Sequence, residues 1–503
     1  MRFFLYALLA GAVSAFAFEP VGFWPLLPVA FALLCEFTCR SKSMWRALLT
    51  GWAFGLGQFA VGLNWIATAF TFQSNMPAWL GWVAVVLLSI YLAVYPALAT
   101  GLAWRFGKDD RVSLVLVFSG AWGVTEWLRG VMFTGFPWNP AAAVLAPTPL
   151  LKIAPLIGTY GLSGLVALLG GAIWLEHYRK WLPLVLIVAA TTFLWLLPGS
   201  PVPPDPLALL NIRIVQPNIG QEDKWRPGFD QEAARRLAQL SGRPSDQPRL
   251  LLWPEAAVTD PLQDSRTNEH QFAQDQRIAI ASLLGPGDRL LTGGIAVLSS
   301  DGVHVTGAEN SVFVIAPGGQ LLGRYDKAHL VPYGEYLPMR PLLSAIGLSR
   351  LAPGDLDFTP GPGPRTLDLG GEWGKVGFDL CYEIIFSGHV VDEKNRPGFI
   401  FNPSNDAWFG RWGPPQHLAQ ARLRAAEEGI PILRATPTGI SAVIDGRGNI
   451  VKSLPWRTAG VIDAVLPPAA NSPPLFARLG NIIPLILGFL LILGGIVLGR
   501  RRR

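Results

Sequence analysis

Hydrophobic and polar positions divide the chain into two textures. Long apolar runs fill the first part and return at the end. Phe3–Phe18 is uncharged and Val21–Cys35 follows almost directly, which predicts a tight helical hairpin. No charged residue occurs from Ala47 to Trp104, enough for two spans parted near Thr71–Pro77. Val112–Leu128, Ile153–Leu175 and Trp181–Leu197 continue the series, and Leu479–Gly499 closes it before Arg500–Arg503. A membrane-crossing helix needs roughly 20 mostly apolar residues. The pattern therefore predicts eight transmembrane helices, seven within 1–198 and the eighth at 479–499. Arg2 before an Ala-rich apolar start is similar to a signal peptide, but the immediate second run argues for a retained anchor.

Between these blocks the texture changes. Pro198–Pro206 holds five prolines and a glycine and reads as a stiff spacer. From 207 to 470 the apolar runs are short and rich in β-branched residues. Leu209–Val215, Arg249–Trp253, Leu290–Ile295, Ser311–Ile315, Val376–Leu380, Phe399–Asn402, Ile432–Ala435, Ser441–Ile444 and Val461–Val465 read as strands. Gln231–Leu240, Glu269–Leu284 and Gln416–Glu428 carry helical apolar spacing. Strands alternating with helices predict a layered α/β domain. Turn signals at Ala316–Gly319 and Asp445–Gly448 add antiparallel pairs, so the sheet should be mixed.

Charge sharpens this division. Almost all acidic residues lie between 205 and 463, and the net charge of +6 is built from basic residues beside apolar runs. That distribution points to membrane topology and away from nucleic acid. With the N-terminus in the cytoplasm, the inside loops carry Arg40, Lys42 and Arg46, then Arg105, Lys108 and Arg111, then Arg179 and Lys180, then the terminal arginines. The block from about 200 to 475 then lies outside the cytoplasmic face, which in a bacterial cell is the periplasm, with both termini cytoplasmic. Glu126, three residues before Arg129, is an ionisable group inside the fifth span. It reads either as an ion pair fixing the helix end or as a functional group. The loop Thr134–Pro140 is rich in Gly, Pro and aromatics and reads as an interfacial anchor or as a wall of a lipid pocket.

Chemistry concentrates in three stretches. Leu250–Glu255 is a strand ending in a carboxylate, with Pro254 barring its continuation. Tyr325–Glu335 places Lys327 and Glu335 in one loop. Gly377–Phe386 ends an apolar run in Cys381, followed by Tyr382 and Glu383. Cys35 and Cys39 fall at the end of an apolar segment, so Cys381 is the single cysteine of the polar block and has no disulfide partner there. A thiol needs a base to become a thiolate nucleophile, and a lysine can favour the thiolate and stabilise an oxyanion. Glu, Lys and Cys thus form a complete acyl-transfer set without histidine. The six histidines show no metal-ligand spacing, and no phosphate-binding glycine loop is present. The segment Pro338–Pro353, with Leu342, Leu343, Ile346, Leu348 and Leu351, is too apolar for an exposed loop. It reads as a satellite core helix or as a mobile arm reaching the bilayer.

Trp-Pro-Glu at 253–255, Lys-x-His-Leu-Val-Pro-Tyr-Gly-Glu at 327–335, Cys-Tyr-Glu at 381–383, Asn-Asp-Ala-Trp-Phe at 405–409, and Glu-Trp-Leu-Arg-Gly with Thr-Gly-Phe-Pro-Trp at 126–138 resemble the motifs of bacterial apolipoprotein N-acyltransferases. These are membrane-embedded members of the nitrilase superfamily. The resemblance covers essentially the whole chain and implies an αββα sandwich for the soluble domain. It implies Glu255 as general base, Lys327 as oxyanion stabiliser and Cys381 as nucleophile. Glu335, Tyr382 and Glu383 would support them, and Trp138, Trp225, Asn405 and Trp408 would contact substrate. The implied reaction is ping-pong, without cofactor or metal. An acyl chain passes from a phosphatidylethanolamine-like phospholipid to Cys381, then to the amine of a diacylglyceryl-cysteine lipoprotein, completing lipoprotein maturation by a monomeric enzyme. Two rivals remain open at this level: a membrane-anchored amidase using water on a small amide, and a transporter carrying a degenerate domain.

Overall fold

The computed structural model describes residues 2–73, 76–196, 210–224, 226, 228–245, 247–345, 347–351 and 356–501. The Pro198–Pro206 spacer, Trp225 and Ile346 lie outside the described residues. Among those described, three helices are long and apolar enough to cross a membrane: Leu80–Gly107, Pro149–His177 and Ile482–Arg501. A fourth arises if Met44–Gly62 and Ile66–Phe72, bent by 47°, form one span. Arg2–Ala17 and Leu26–Cys39 are apolar but shorter, Leu182–Leu196 has 15 residues, and Arg111–Val131 carries Glu126 and Arg129. Helix lengths therefore support fewer spans than the apolar runs predict. The runs include turn residues such as those between Phe18 and Leu26, which add apolar length without adding helix.

Among the described residues the second region contains thirteen strands: β1 Asn211–Gln216, β2 Arg249–Leu252, β3 Gln263–Asp264, β4 Arg289–Leu298, β5 Gly307–Ile315, β6 Leu321–Asp326, β7 Thr366–Asp368, β8 Lys375–Phe378, β9 Phe399–Pro403, β10 Ile432–Ala435, β11 Ala442–Ile444, β12 Ile450–Ser453 and β13 Gly460–Val465. They build two sheets, ordered β13-β1-β2-β4-β5-β6 (with β3 on β4) and β12-β11-β10-β9-β8-β7. Each has a parallel centre, β1-β2-β4 or β8-β9-β10, and antiparallel flanks. The mixed sheet read from the sequence is present. β3, β6, β7 and β12 were not legible because they are short or lie at exposed edges; β12 is exposed at every position.

Side chains alternate across each strand, and this explains the layers. Ile212, Leu250, Leu252, Val312 and Val314 of one sheet face Val376, Phe378, Phe399, Phe401 and Leu433 of the other. The opposite face of the first sheet, with Leu251, Phe313 and Ile315, is covered by Leu237 and Ala281 from the helices Phe229–Ser241 and His270–Ala281. The opposite face of the second, with Ile400, Ile432 and Ile444, packs on Leu418, Ala421 and Ala425 of the helix Gly413–Glu428. The result is helix–sheet–sheet–helix.

The helix Gly413–Glu428 carries many polar residues, yet 14 of its 16 residues are buried. Such a helix is tolerated only if its polar groups find partners on all sides. Apart from Gln420 Oε1, which has none among the described residues, they do so to a large extent, because the helix lies between the sandwich and the apolar helices. Gln416 Nε2 donates to the carbonyls of Glu19 (3.0 Å) and Gly62 (3.2 Å). Glu427 Oε1 accepts from the Thr159 amide (2.5 Å) and the Ser387 hydroxyl (2.8 Å), and Arg424 reaches the Thr159 hydroxyl. The two regions therefore share one core, in which Trp65, Trp138, Tyr382, Phe386 and Leu418 meet.

Candidate active site

The three proposed reactive side chains lie at the ends of β2, β6 and β8, drawn from both sheets. Trp253 extends the β2 pairing by one bond, its N–H donating to the Leu291 carbonyl at 2.9 Å. Pro254 has no N–H and ends the ladder, leaving Glu255 just beyond it. Lys327 directly follows β6, with its N–H on the Asn310 carbonyl at 2.9 Å. Cys381 follows a strand end, as the apolar run suggested, but not directly: β8 stops at Phe378, and Cys381 opens a short 3₁₀ turn, Cys381–Ile385, with φ +51°. A left-handed conformation at a non-glycine residue costs of order 1–3 kcal/mol and marks a position held by its surroundings.

Glu255, Lys327 and Cys381 are all buried. Lys327 Nζ lies 2.9 Å from Glu335 Oε1 and 3.6 Å from Glu255 Oε1. Asn310 Nδ2 bridges the same two oxygens, at 2.8 Å to Glu255 and 2.9 Å to Glu335. The Asn405 amide donates to Glu255 Oε2 at 2.7 Å. Burial would lower the Lys327 pKa, but Glu335 and Glu255, with Cys381, hold it above its ordinary value. The lysine therefore stays charged. Burial, reinforced by the Glu255 charge, pushes the Cys381 thiol well up despite Lys327. At neutral pH the resting sulfur keeps its proton, and a base must remove it during attack.

Glu383 has a different position. Its carboxylate accepts from Tyr325 Oη, from the amides of Ala328 and His329, and from the Leu380 amide. These bonds pin the lysine loop to the cysteine turn, and they occupy the carboxylate fully. Tyr382 Oη donates to the Gly135 carbonyl at 3.0 Å, joining the turn to the aromatic loop. That loop is braced from within the helical region: Arg129 Nη1 donates to the carbonyls of Phe136 and Trp138, both at 2.8 Å, and Glu126 Oε1 accepts from the Ala141 amide at 2.9 Å. Glu126 and Arg129 lie 3.7 Å apart, so the ion-pair reading of Glu126 describes its geometry, and the pair supports the loop.

Of the residues expected to contact substrate, Trp138 is not at an opening. It has no exposed surface, donates Nε1–H to Gln416 Oε1 at 2.8 Å, and packs against Trp65, Phe409 and His417. It shapes the seam instead. Trp408 is half-buried and meets Phe72 edge-on. Asn405 acts on Glu255 through its backbone. Next to it, a crevice of about 20 Å³ lined by Gln221, Lys224, Glu255 and Asn405 has room for about one water. Burial lowers Lys224 there to about 8 against the raising effect of Glu255, and its Nζ donates to the Ala256 carbonyl. The arm segment forms a helix, Arg340–Ala345, with no buried residue, and Met339 and Leu342 are exposed, so the satellite-core reading does not apply there.

Sequence reasoning missed Asn310, which sits in β5 between Glu309 and Ser311 and carries no motif signal. It also missed His417 and Arg434, which reach the site only through the packing of the helix Gly413–Glu428 and β10.

Comparison with known proteins agrees with the architecture. Residues 10–172 match the family described as the apolipoprotein N-acyltransferase N-terminal domain, and residues 211–470 match the carbon-nitrogen hydrolase family. The apolipoprotein N-acyltransferase of Rhodopseudomonas palustris is 35% identical over 99% of this chain and 95% of its own length. That of Bradyrhizobium diazoefficiens is 36% identical over 97% and 94%, and that of Methylococcus capsulatus 33% over 100% and 97%. Among solved structures, a carbon-nitrogen hydrolase from Helicobacter pylori is similar over 51% of this chain and 88% of its own, at 14% identity and a TM-score of 0.35. With both domains matched in order and such relatives aligned over nearly its whole length, the chain belongs to the apolipoprotein N-acyltransferase family, within the nitrilase superfamily.

Proposed function

We propose that the protein moves an acyl chain from a phospholipid to the N-terminal amine of a diacylglyceryl-cysteine lipoprotein through a thioester on Cys381. The observation that carries this reading is the placement of the Glu255–Lys327–Cys381 cluster directly against the loop Gly135–Trp138 of the apolar helical region. A soluble amide hydrolase has no need of that contact.

The chemistry follows from the geometry. Glu255 takes the Cys381 proton as sulfur attacks the ester carbonyl. Lys327 lies where it can balance the oxyanion of the tetrahedral intermediate, and it stays charged because Glu335 holds it. Collapse expels the lysophospholipid oxygen, which takes the proton from Glu255. In the second half the lipoprotein amine attacks the thioester, Glu255 takes its proton, and the departing thiolate recovers that proton. Glu383 holds the loops and takes no chemical part. Trp225 and Trp408 contact the lipid substrate, and the exposed side chains of Met339 and Leu342 enter the bilayer.

The architecture that serves this reaction is seven spans within 1–198, a periplasmic domain at 207–470 and an eighth span at 479–499, with both termini cytoplasmic. The enzyme acts as a monomer in the inner membrane on a phosphatidylethanolamine-like donor. The basic-loop asymmetry supports this orientation. The decisive experiment incubates the purified protein with labelled phospholipid and maps the Cys381 peptide by mass spectrometry. A hydroxylamine-sensitive acyl adduct that is absent in Cys381→Ala is expected. A folded protein that forms no adduct refutes the mechanism.

A further inference from the structure

We propose that His417 is a positioning residue for the nucleophile. Its Nε2–H holds the Cys381 carbonyl and thereby keeps the cysteine in the left-handed conformation that aims the sulfur at the acyl carbon. This inference rests on Cys381 being the nucleophile, and the test below separates the two.

The argument starts from the strained backbone. Cys381 has φ +51° without being glycine, and such a conformation persists only where neighbours over-determine it. Its amide side is fixed by the Glu383 bonds to Leu380 and to the lysine loop. Its carbonyl faces His417 Nε2 at 3.0 Å. A carbonyl can only accept, so Nε2 carries the hydrogen. The other ring nitrogen, Nδ1, lies 2.9 Å from Asp406 Oδ1 and 3.0 Å from Arg434 Nη2. Arg434 in turn bonds Asp406 at 2.7 and 2.8 Å and Ser404 Oγ at 2.9 Å. None of His417, Asp406 and Arg434 has any exposed surface. Burial and the Arg434 charge lower the His417 pKa against the pull of Asp406, so the ring is neutral at pH 7.

Four features make this more than a packed histidine. The ring packs in a three-way aromatic cluster with Trp138 at 5.1 Å and Phe409 at 5.7 Å between centroids, themselves 5.5 Å apart. Arg434 Nη2 donates to Nδ1 and so leaves the hydrogen on Nε2, with Asp406 holding Arg434 in place. Asn405, whose amide holds Glu255, immediately precedes Asp406, so the same short loop supports base and nucleophile. Finally, the preceding residue, Gln416, bonds the helical region and Trp138. One turn of helix thus grips the membrane side with one residue and the nucleophile with the next.

The test compares His417→Gln, His417→Asn and His417→Ala in the full-length protein. The Gln amide nitrogen reaches about as far as Nε2; the Asn nitrogen reaches only as far as Nδ1. Two rates are read: single-turnover acylation of Cys381 by phospholipid, normalised to folded protein, and alkylation of Cys381 by iodoacetamide. Asn and Ala are expected to lose about 10- to 100-fold in acylation, the size of the strain they release, with KM for phospholipid unchanged and alkylation falling in parallel. Gln is expected to recover most of both rates. Equal rates for Gln and Asn, or losses explained entirely by fewer folded molecules, overturn the role of His417. If wild-type protein shows no adduct on Cys381 while iodoacetamide still labels it, the nucleophile assignment fails instead.

Discussion

Glu335 offers the sharpest test of how the proposed site is built. Its Oε1 accepts from Lys327 Nζ and Asn310 Nδ2, both at 2.9 Å, and its Oε2 accepts from the Val331 amide at 2.8 Å. Every partner is a donor. In Glu335→Gln the new NH₂ must face one of those donors whichever way the amide turns. Hydrogen bonds to charged groups contribute about 1.5–3 kcal/mol each, so the lost bond and the donor–donor contact together should cost about 3 kcal/mol of stability. Glu335→Ala removes all three bonds and leaves Lys327 buried with Glu255 alone. Removing one partner of a buried pair costs about 3–5 kcal/mol. Lys327 then closes the 3.6 Å gap to Glu255, which quenches the base and withdraws the charge from the oxyanion. A loss of about 10²–10³ in acylation rate follows. The assay is single-turnover acylation of Cys381 followed by intact mass, with thermal unfolding of the same samples. Both variants within about threefold of wild type in rate and unchanged in Tm would refute the reasoning.

Gly135 has φ +73°, and a Cβ there would lie 2.2 Å from the Gly130 carbonyl oxygen. Gly135→Ala should therefore displace the aromatic loop, break the Tyr382 bond and lower both Tm and acylation, whereas Tyr382→Phe, which loses only that bond, should cost about 1 kcal/mol. Asp379 is buried, its Oδ2 has no hydrogen-bond partner among the described residues, and burial, with Glu383 and Glu428, raises its pKa. The folded state holds that proton more tightly than the unfolded chain, so the group's contribution is complete below about pH 4 and falls as pH rises. Asp379→Asn should thus raise Tm, with a gain that widens from pH 5 to pH 8; a gain that shrinks over that range contradicts the assignment. Met339→Ser with Leu342→Ser alters two exposed side chains and should leave Tm nearly unchanged while lowering kcat/KM on bilayer phospholipid several-fold. An unchanged rate would show that the arm does not enter lipid.

Much of the molecule was legible in its residue pattern. Short apolar runs located nine strands within a few residues, because a strand buried on both faces leaves a dense apolar stretch in the sequence. The reactive trio was legible because proline and the strand ends punctuate it. Edge strands were not, since β12 buries nothing that would mark it. The apolar runs marked more spans than the helices long and apolar enough to cross a membrane, because hydropathy records what a residue prefers and says nothing of where the backbone turns. Trp138 read as an interfacial aromatic because its neighbours in sequence are apolar, while the neighbours that enclose it, Trp65, Phe409 and His417, come from distant segments.

By itself, the sequence determined the division into apolar helices and a mixed α/β sandwich, and it named Glu255, Lys327 and Cys381 as one chemical set. Only the tertiary structure showed that Glu255 and Lys327 lie 3.6 Å apart, that Cys381 stands on a left-handed turn three residues past its strand, and that Glu383 bonds both the lysine loop and the cysteine turn. Only the fold, likewise, placed Asn310, His417 and Arg434 around them. The physical reason is that nucleophile, base and cation come from separate strand ends on two sheets. The bonds that hold them run between residues up to 150 positions apart, as from Asn405 to Glu255. Local pattern carries the preferences of each segment; the distances between segments exist only once the sheets have packed.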